Sequence, residues 1–362
     1  MEIKIKLVRF LKYIWNALRQ PLLATIIGLG VGAIIILLTG KNPVRIYIDM
    51  FDKSFFSLYY LLQTLTRATP IILCAIATAM AWRAGHINIG VQGQMVVGGF
   101  VAAICAVYIP GPPVLIMILS ILLAIVSGAL YASIAAVLEY KFNVSLVICT
   151  LMLNYIANFV TTYFISGPVK AISADPTALQ TEKIPQAMQI WNLVPQTTFN
   201  FSFVIAIVVA ILFVFFVKRT VLGYEIKATG LNAAFSKFGG IKPFKILIVA
   251  MLLSGGIAGL AGAGDVFGYK HCYVDGMLTT TSYAWTGLMA ALMAGLNPVG
   301  LVFSSILLAG FQVGGQAIQR TAGIPMELAT IIQATITIFV SVKFSYKIFA
   351  KRKINDAGEV LI

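Results

Sequence analysis

The sequence predicts an all-α polytopic membrane protein of about ten transmembrane helices, arranged as two inverted repeats with both termini cytoplasmic. Three observations carry this expectation. Hydrophobic residues fill 60% of the 362 positions and charged residues 10%, with a mean hydropathy of +0.95, where a soluble domain carries about 25% charge. Apolar runs of about 20 residues, the length that crosses a bilayer, recur along the whole chain. The basic residues behind the net charge of +14 fall between those runs and not in a patch with interleaved aromatics. That is the pattern of membrane orientation and excludes a nucleic-acid partner.

Residues 1–20 are a basic amphipathic start, with Lys4, Lys6, Arg9, Lys12 and Arg19 among Ile3, Ile5, Leu7, Phe10 and Trp15. No clear small-residue cleavage site follows, so Pro21–Leu38 reads as an uncleaved first span with the N-terminus inside. Asn42–Leu62 mixes Arg45, Asp49, Asp52 and Lys53 with Phe51, Phe55, Phe56, Tyr59 and Tyr60, which suits an interfacial helix on the outer face. Further spans are expected at Ala68–Trp82, Val91–Ile109, Val114–Leu138, Ser145–Ile165, Phe199–Val217, Ile246–Ala263, Tyr283–Leu296, Val299–Gln316 and Pro325–Val342. These give a single transmembrane domain over 21–343 and a cytoplasmic tail over 344–362. Within the domain lie a first repeat at about 68–165, an extracytoplasmic loop at 167–198, a cytoplasmic loop at 218–245 and a second repeat at about 246–343.

The charges test this topology. It places eighteen Lys and Arg inside and eight outside, as the excess of positive charge on cytoplasmic loops requires. Four helices starting at Ala68 and four starting at Ile246 then run in opposite senses, an inverted pair. Each set is broken after its first helix, at Gly85–Gln94 (GHINIGVQGQ) and at Gly264–Tyr283. Interrupted segments at matching positions in inverted halves point to a transport pathway.

Candidate pathway residues follow. Asn88, Gln92 and Gln94 alternate with apolar residues in the first break, where unwound backbone must be buried in protein or line a water-filled cavity. The alternative is a short cytoplasmic turn with solvated amides. Asn154 and Asn158 lie four apart on one face of their span, and Gln333 is central in the last span with Thr330 and Thr337 on its face. An amide there can read a sugar hydroxyl or a base edge without burying a charge, or it can bond neighbouring helices as structural glue. The small-residue run Ser254–Gly264 reads as a surface for close helix contact. Arg67, Arg83, Asp265, Arg320 and Glu327 are all expected at span ends, where snorkelling accounts for them.

The stretch Lys218–Lys245 (KRTVLGYEIKATGLNAAFSKFGGIKPFK) is polar and basic between two apolar blocks. Within it Asn232 can cap a short helix over Ala233–Phe238, with Gly239 as its left-handed stop. Such a helix on the cytoplasmic surface has no membrane role of its own and is expected to meet a soluble partner. Four scattered cysteines and two distant histidines suggest neither a disulfide framework nor a metal site. The sequence contains no phosphate-binding Gly-rich loop with its Lys, so ATP hydrolysis is not expected of this chain, and no catalytic residue is assigned. No mid-span chain of titratable groups suggests a proton-coupled carrier.

Several segments also carry a resemblance. Thr69–Gly99 (TPIILCAIATAMAWRAGHINIGVQGQMVVGG), Thr150–Phe159 (TLMLNYIANF), Gly223–Ile241 (GYEIKATGLNAAFSKFGGI) and Ser254–Gly268 (SGGIAGLAGAGDVFG) resemble the membrane permease subunits of bacterial ABC importers, nearest the branch for nucleosides and simple sugars. Ribose and branched-chain amino acid permeases belong to the same larger group. His86 departs from the pattern, since many relatives place an apolar residue there. The resemblance implies a permease homo- or heterodimer in the bacterial cell membrane, two cytoplasmic ATPase subunits carrying the ATP and Mg, and an extracytoplasmic solute-binding protein that can dock on Gly167–Asn200. For that loop, with Pro168, Pro176, Pro185 and Pro195 and mixed charge, docking is read from a length too great for a simple turn, and the alternative is a passive lid over the bundle. The resemblance implies no cofactor in this chain. It further implies that Ala228–Ile241 is the coupling helix, with Gly230, Asn232, Ala233, Ala234, Phe235, Phe238 and Gly239 meeting the ATPase. The rival expectations are an ion-coupled secondary carrier and a structural subunit that moves nothing.

Overall fold

A computed structural model of the chain describes residues 25–172, 177–323, 325 and 327–339. The basic segment 1–20, the start of the first span and the end of the last, and the tail 344–362 lie outside the described residues. The described residues are helical, with two isolated bridges and no strand. Among the described residues, seven helices are long and apolar enough to cross a membrane. In chain order the elements are α1 (Thr25–Leu38), α2 (Pro43–Phe51), a π-turn (Asp52–Phe56), α3 (Leu58–Arg83), α4 (Val91–Tyr108), α5 (Pro113–Phe142), α6 (Leu146–Ser166), α7 (Ser202–Arg219), α8 (Val221–Leu231), α9 (Ala233–Phe238), α10 (Pro243–Asp265) with a π-turn (Val266–Lys270), α11 (Met277–Thr280), α12 (Tyr283–Met293), α13 (Pro298–Ala322) and α14 (Glu327–Phe339).

The residues form two compact units. One holds the described residues up to Leu61, Leu292–Gly295 and those from Gly310 onward; the other holds Leu62–Ala291 and Leu296–Ala309. In the first, Asn42 caps α2 by accepting from the Val44 nitrogen at 2.9 Å, and α2 buries Ile46 and Met50 while exposing Val44 and Ile48. Ser54 donates to the Gly310 carbonyl at 2.7 Å, and Phe51 meets Phe311 edge to face at 6.0 Å. The stretch 43–56 is thus fastened to the second half of α13.

The second unit is built on backbone contact between α4, α5 and α10. A methyl on Gly255 would overlap the Gly128 carbonyl, and one on Gly262 would stand 2.7 Å from the Gly99 nitrogen. The small-residue run therefore does what the sequence suggests and lets helix backbones touch. Beside it, Ala81, Ala132, Ala135, Ala136, Leu146, Cys149, Leu247 and Met251 form a buried cluster.

Several boundaries differ from expectation, each for a local reason. Helix α3 begins at Leu58, ten residues before the expected start, because its aromatic and polar first turns have a buried side at Leu62 and Thr64. Arg67 consequently lies well inside a helix. The first break is only Ala84–Gly90, with Gln92 and Gln94 already on α4. Gly223 and Gly230 lie inside α8 and do not flank a loop. Gly239 has φ −76° and Gly240 +82°, so Gly240 takes the left-handed stop. Helix α10 runs past Ala263 to Asp265 and on through a π-turn to Lys270, and α12 ends at Met293 before two positive-φ residues, Gly295 and Leu296.

Candidate functional site

The basic central stretch folds as α8 and α9. Asn232 leaves the helical region with φ −162° and ψ 103°, and its side-chain oxygen accepts from the Phe235 nitrogen at 2.9 Å. That satisfies one of the orphan N–H groups at the start of α9. Ser236 turns inward and donates to the Asn232 carbonyl at 2.9 Å. The other face carries Leu231, Phe235 and Phe238, which are 70%, 74% and 92% exposed, while Asn232, Ala233, Ala234 and Gly239 are also exposed. Three large apolar side chains are thus exposed on one lysine-bearing segment, a composition that recurs at interaction sites.

Gly230 places this segment against the first break. An added methyl would overlap the Arg83 carbonyl and stand 3.0 Å from the Gly85 nitrogen. Gly85 itself has φ +86°, and a methyl there would meet the Gly230 Cα at 3.2 Å. The Arg83 guanidinium donates twice to the Leu296 carbonyl, at 3.1 and 2.9 Å. It is thus held by a fixed acceptor, where snorkelling was expected.

Inside the break the polar groups find partners on α4, α6 and α10. The fully buried Asn88 exchanges bonds with the Gln94 amide at 3.2 Å each way, donates to Ser254 at 3.0 Å and accepts from the Gly90 nitrogen at 2.8 Å. Asn154, on α6, accepts from the Gly93 nitrogen at 2.7 Å and donates to the Ile89 carbonyl at 3.0 Å. No side chain of its own segment caps α4 at Gly90, so Asn154 supplies part of that cap from another helix. Thr150 accepts from the Ile89 nitrogen at 3.3 Å. His86 approaches Glu139 at 3.7 Å, and burial lowers the imidazole from its ordinary value.

The second break is covered by the long loop. The nitrogens of Thr181, Ile184 and Ile190 donate to the carbonyls of Tyr273, His271 and Phe267 at 2.9, 2.8 and 3.1 Å. On its other side, α6 reaches it twice: Thr279 donates to the half-buried Asn158 at 2.8 Å, and Thr162 donates to Asp275 at 2.6 Å.

Of the residues expected to line a route, Asn88 and Asn154 come together, Gln92 lies beside them on the first turn of α4, and Asn158 is one turn further along α6. Gln333 is buried in the other unit. Ser254 and Thr150 meet the break across 166 and 61 positions of chain, and Arg83 at its edge reaches Leu296 across 213, so no local pattern announces these contacts. Asp265 was expected at a helix end. It is 7% exposed inside the second unit.

Residues 60–341 match the family model described as branched-chain amino acid transport system / permease component. The chain is 34% identical over 347 residues to the nucleoside ABC transporter permease protein NupB of Lactococcus lactis, covering 94% of this chain and 95% of that one. It is 30% identical over 339 residues to the guanosine ABC transporter permease protein NupP of Bacillus subtilis, covering 93% and 97%. The glucose ABC transporter permease protein TsgB13 of Haloferax volcanii is 26% identical over 360 residues, covering 95% and 93%. No solved structure matches the chain.

Proposed function

Because the chain belongs to the branched-chain amino acid transport system permease family, we propose that it is the permease subunit of an ATP-driven importer that passes a nucleoside or a sugar inward by alternating access. It is a multi-pass protein of the cell membrane, and similarity over nearly its full length to nucleoside and glucose permeases supports that choice of solute. The observation that carries the mechanical part is the backbone contact of Gly230 with Arg83 and Gly85. Through it, a push on the exposed face of α8 and α9 meets a break in the membrane helices, with no flexible side chain between to absorb it.

In this reading ATPase subunits, with their ATP and Mg, bind the face formed by Leu231, Phe235 and Phe238, and this chain performs no chemistry and holds no cofactor. The termini and the 218–245 loop are cytoplasmic, about ten helices form two inverted halves, and a second permease completes the pathway. A solute-binding protein docks on the loop over 167–198, whose Trp191 is 61% exposed. Asn88, Gln92, Asn154, Asn158 and Gln333 are the candidate lining of the route; Asn88 and Asn154 reach a solute only if it displaces the bonds they already make.

The test is Ala234→Glu in the importer purified from native membranes. The charge on the exposed face leaves insertion and assembly of the membrane domain intact and abolishes uptake and solute-stimulated ATP hydrolysis together. Unchanged uptake refutes the coupling role. Transport by the purified chain alone under an ion gradient in liposomes identifies an ion-coupled carrier instead.

A further inference from the structure

The two breaks differ in how their polar groups are satisfied. In the first, the amides of Asn88, Gln94 and Asn154 all have partners within the protein. In the second, the carboxylate of Asp265 is 7% exposed, yet among the described residues no hydrogen-bond donor meets it and no cation stands within 4.0 Å. The charges that act on it, Lys270 and Arg67, do so from farther away. Its oxygens keep a little access to solvent while the residue as a whole is buried, so the carboxylate gives up most of its hydration with no direct partner in exchange, which is unfavourable. A membrane protein keeps such a residue where it has work to do.

The surroundings give the work a chemistry. Asp265 is the last residue of α10 before the π-turn Val266–Lys270, a widening that recurs at functional positions in helices. Tyr283, at the start of α12, and Tyr269 belong to the same electrostatic neighbourhood, as does Arg67 from the interior of α3. Arg67 and Lys270 disfavour a cationic solute there, and Asp265 disfavours an anionic one. A neutral solute rich in hydroxyl donors suits both, because the two oxygens of a carboxylate can take a pair of neighbouring hydroxyls in charge-assisted bonds.

We infer that Asp265 is a solute-binding residue, whose carboxylate accepts hydrogen bonds from vicinal hydroxyls on the sugar ring of the passing solute while Arg67 serves as its distant counter-charge. The assignment rests on the importer reading above and adds to it the contact atom and the part of the solute that is recognised. The sugar ring can come from a nucleoside or a free hexose, and the two are tested side by side.

The importer purified from native membranes, reconstituted with its ATPase and binding protein, is assayed with guanosine and with glucose. Asp265→Asn lowers uptake of whichever solute the wild type carries at least tenfold, with assembly and unstimulated ATP hydrolysis within twofold of wild type. The double variant Arg67→Gln/Asp265→Asn stays equally impaired. Uptake restored to within twofold in the double variant overturns the assignment, because Asp265 would then only balance Arg67, and normal uptake by Asp265→Asn overturns it too. Should that variant fail to assemble, the wild-type complex decides the matter: the carried solute protects Asp265 at least fivefold from labelling by dicyclohexylcarbodiimide, read by mass spectrometry. Labelling unchanged by that solute overturns the assignment alone. A wild-type complex that carries neither guanosine nor glucose, nor any other nucleoside or free sugar of a broad panel, overturns the importer reading, and this assignment falls with it.

Discussion

Replacing Gly230 with alanine tests whether the central loop drives the first break. The added methyl carbon would overlap the Arg83 carbonyl oxygen, 2.9 Å from the Arg83 carbonyl carbon and 3.0 Å from the Gly85 nitrogen. Non-bonded carbon atoms rest at about 3.5–4.0 Å, so α8 has to withdraw from the Arg83–Gly85 turn by about 0.5–1 Å. The obstructing atoms are all backbone and cannot rotate away. Overpacking of this kind costs about 1–3 kcal/mol, which is about 5- to 150-fold in the equilibrium between engaged and disengaged arrangements. In proteoliposomes holding the complete importer, Gly230→Ala is therefore expected to lower uptake and solute-stimulated ATP hydrolysis about tenfold while unstimulated hydrolysis persists. Gly30→Ala is the control, because a methyl there meets nothing within 4 Å. Uptake and stimulated hydrolysis within twofold of wild type in Gly230→Ala would refute the idea that this contact transmits force.

Asn154→Leu strands the Ile89 carbonyl and the Gly93 nitrogen, each worth about 1–3 kcal/mol when buried without a partner; the purified permease should melt at a clearly lower temperature, and an unchanged midpoint refutes the cross-helix cap. Phe235→Ser and Phe238→Ser remove side chains that are 74% and 92% exposed, so the permease should melt as the wild type does while retaining less ATPase on co-purification; full retention argues against that face. Burial holds the His86 imidazole below its ordinary 6.5 even with Glu139 at 3.7 Å, so the unfolded chain binds the extra proton. The stability this contributes is complete above pH 6.5 and is lost as pH falls from there toward the lower folded value; His86→Gln should flatten that acid-side loss, and parallel pH curves for the two proteins would dismiss it.

What the sequence made legible was whatever depends on local pattern. Apolar run length located the long helices, Asn232 announced the cap of α9, and the run Ser254–Gly264 announced a close helix contact, because each of these is decided within a few turns of chain. The misplaced features depend on groups far away. Whether Arg67 ends a span or sits inside one turns on the buried face that Leu58–Arg67 finds, and hydropathy cannot see that face. Gly239 and Gly240 are equally able to take positive φ, and only the closing hydrogen bonds choose between them. The break appeared longer than it is because GVQGQ reads as loop, yet Asn154 supplies from another helix the cap that lets α4 start at Val91. Asp265 was read as a solvated end because the continuation of α10 through a π-turn leaves no mark in composition.

The polar stripe of α6 gives the two breaks a common support. Asn154, Asn158 and Thr162 are spaced by four and so share one helix face. The first holds the start of α4, the second Thr279 and the third Asp275. The core beside this helix is packed backbone to backbone at Gly255 and Gly262, and such a core shifts between discrete packings more readily than it deforms. A displacement entering at Gly230 then has a physical route to the second break, with α6 moving as a rod. Proximity alone does not establish that route, whereas energetic coupling does. A double-mutant cycle with Gly230→Ala and Thr279→Val supplies the measurement, uptake rate being the readout. If α6 carries the motion, the two losses combine with an interaction energy above about 0.5 kcal/mol. Strict additivity would mean that the second break opens independently of the central loop, and the transmission would have to run through another helix.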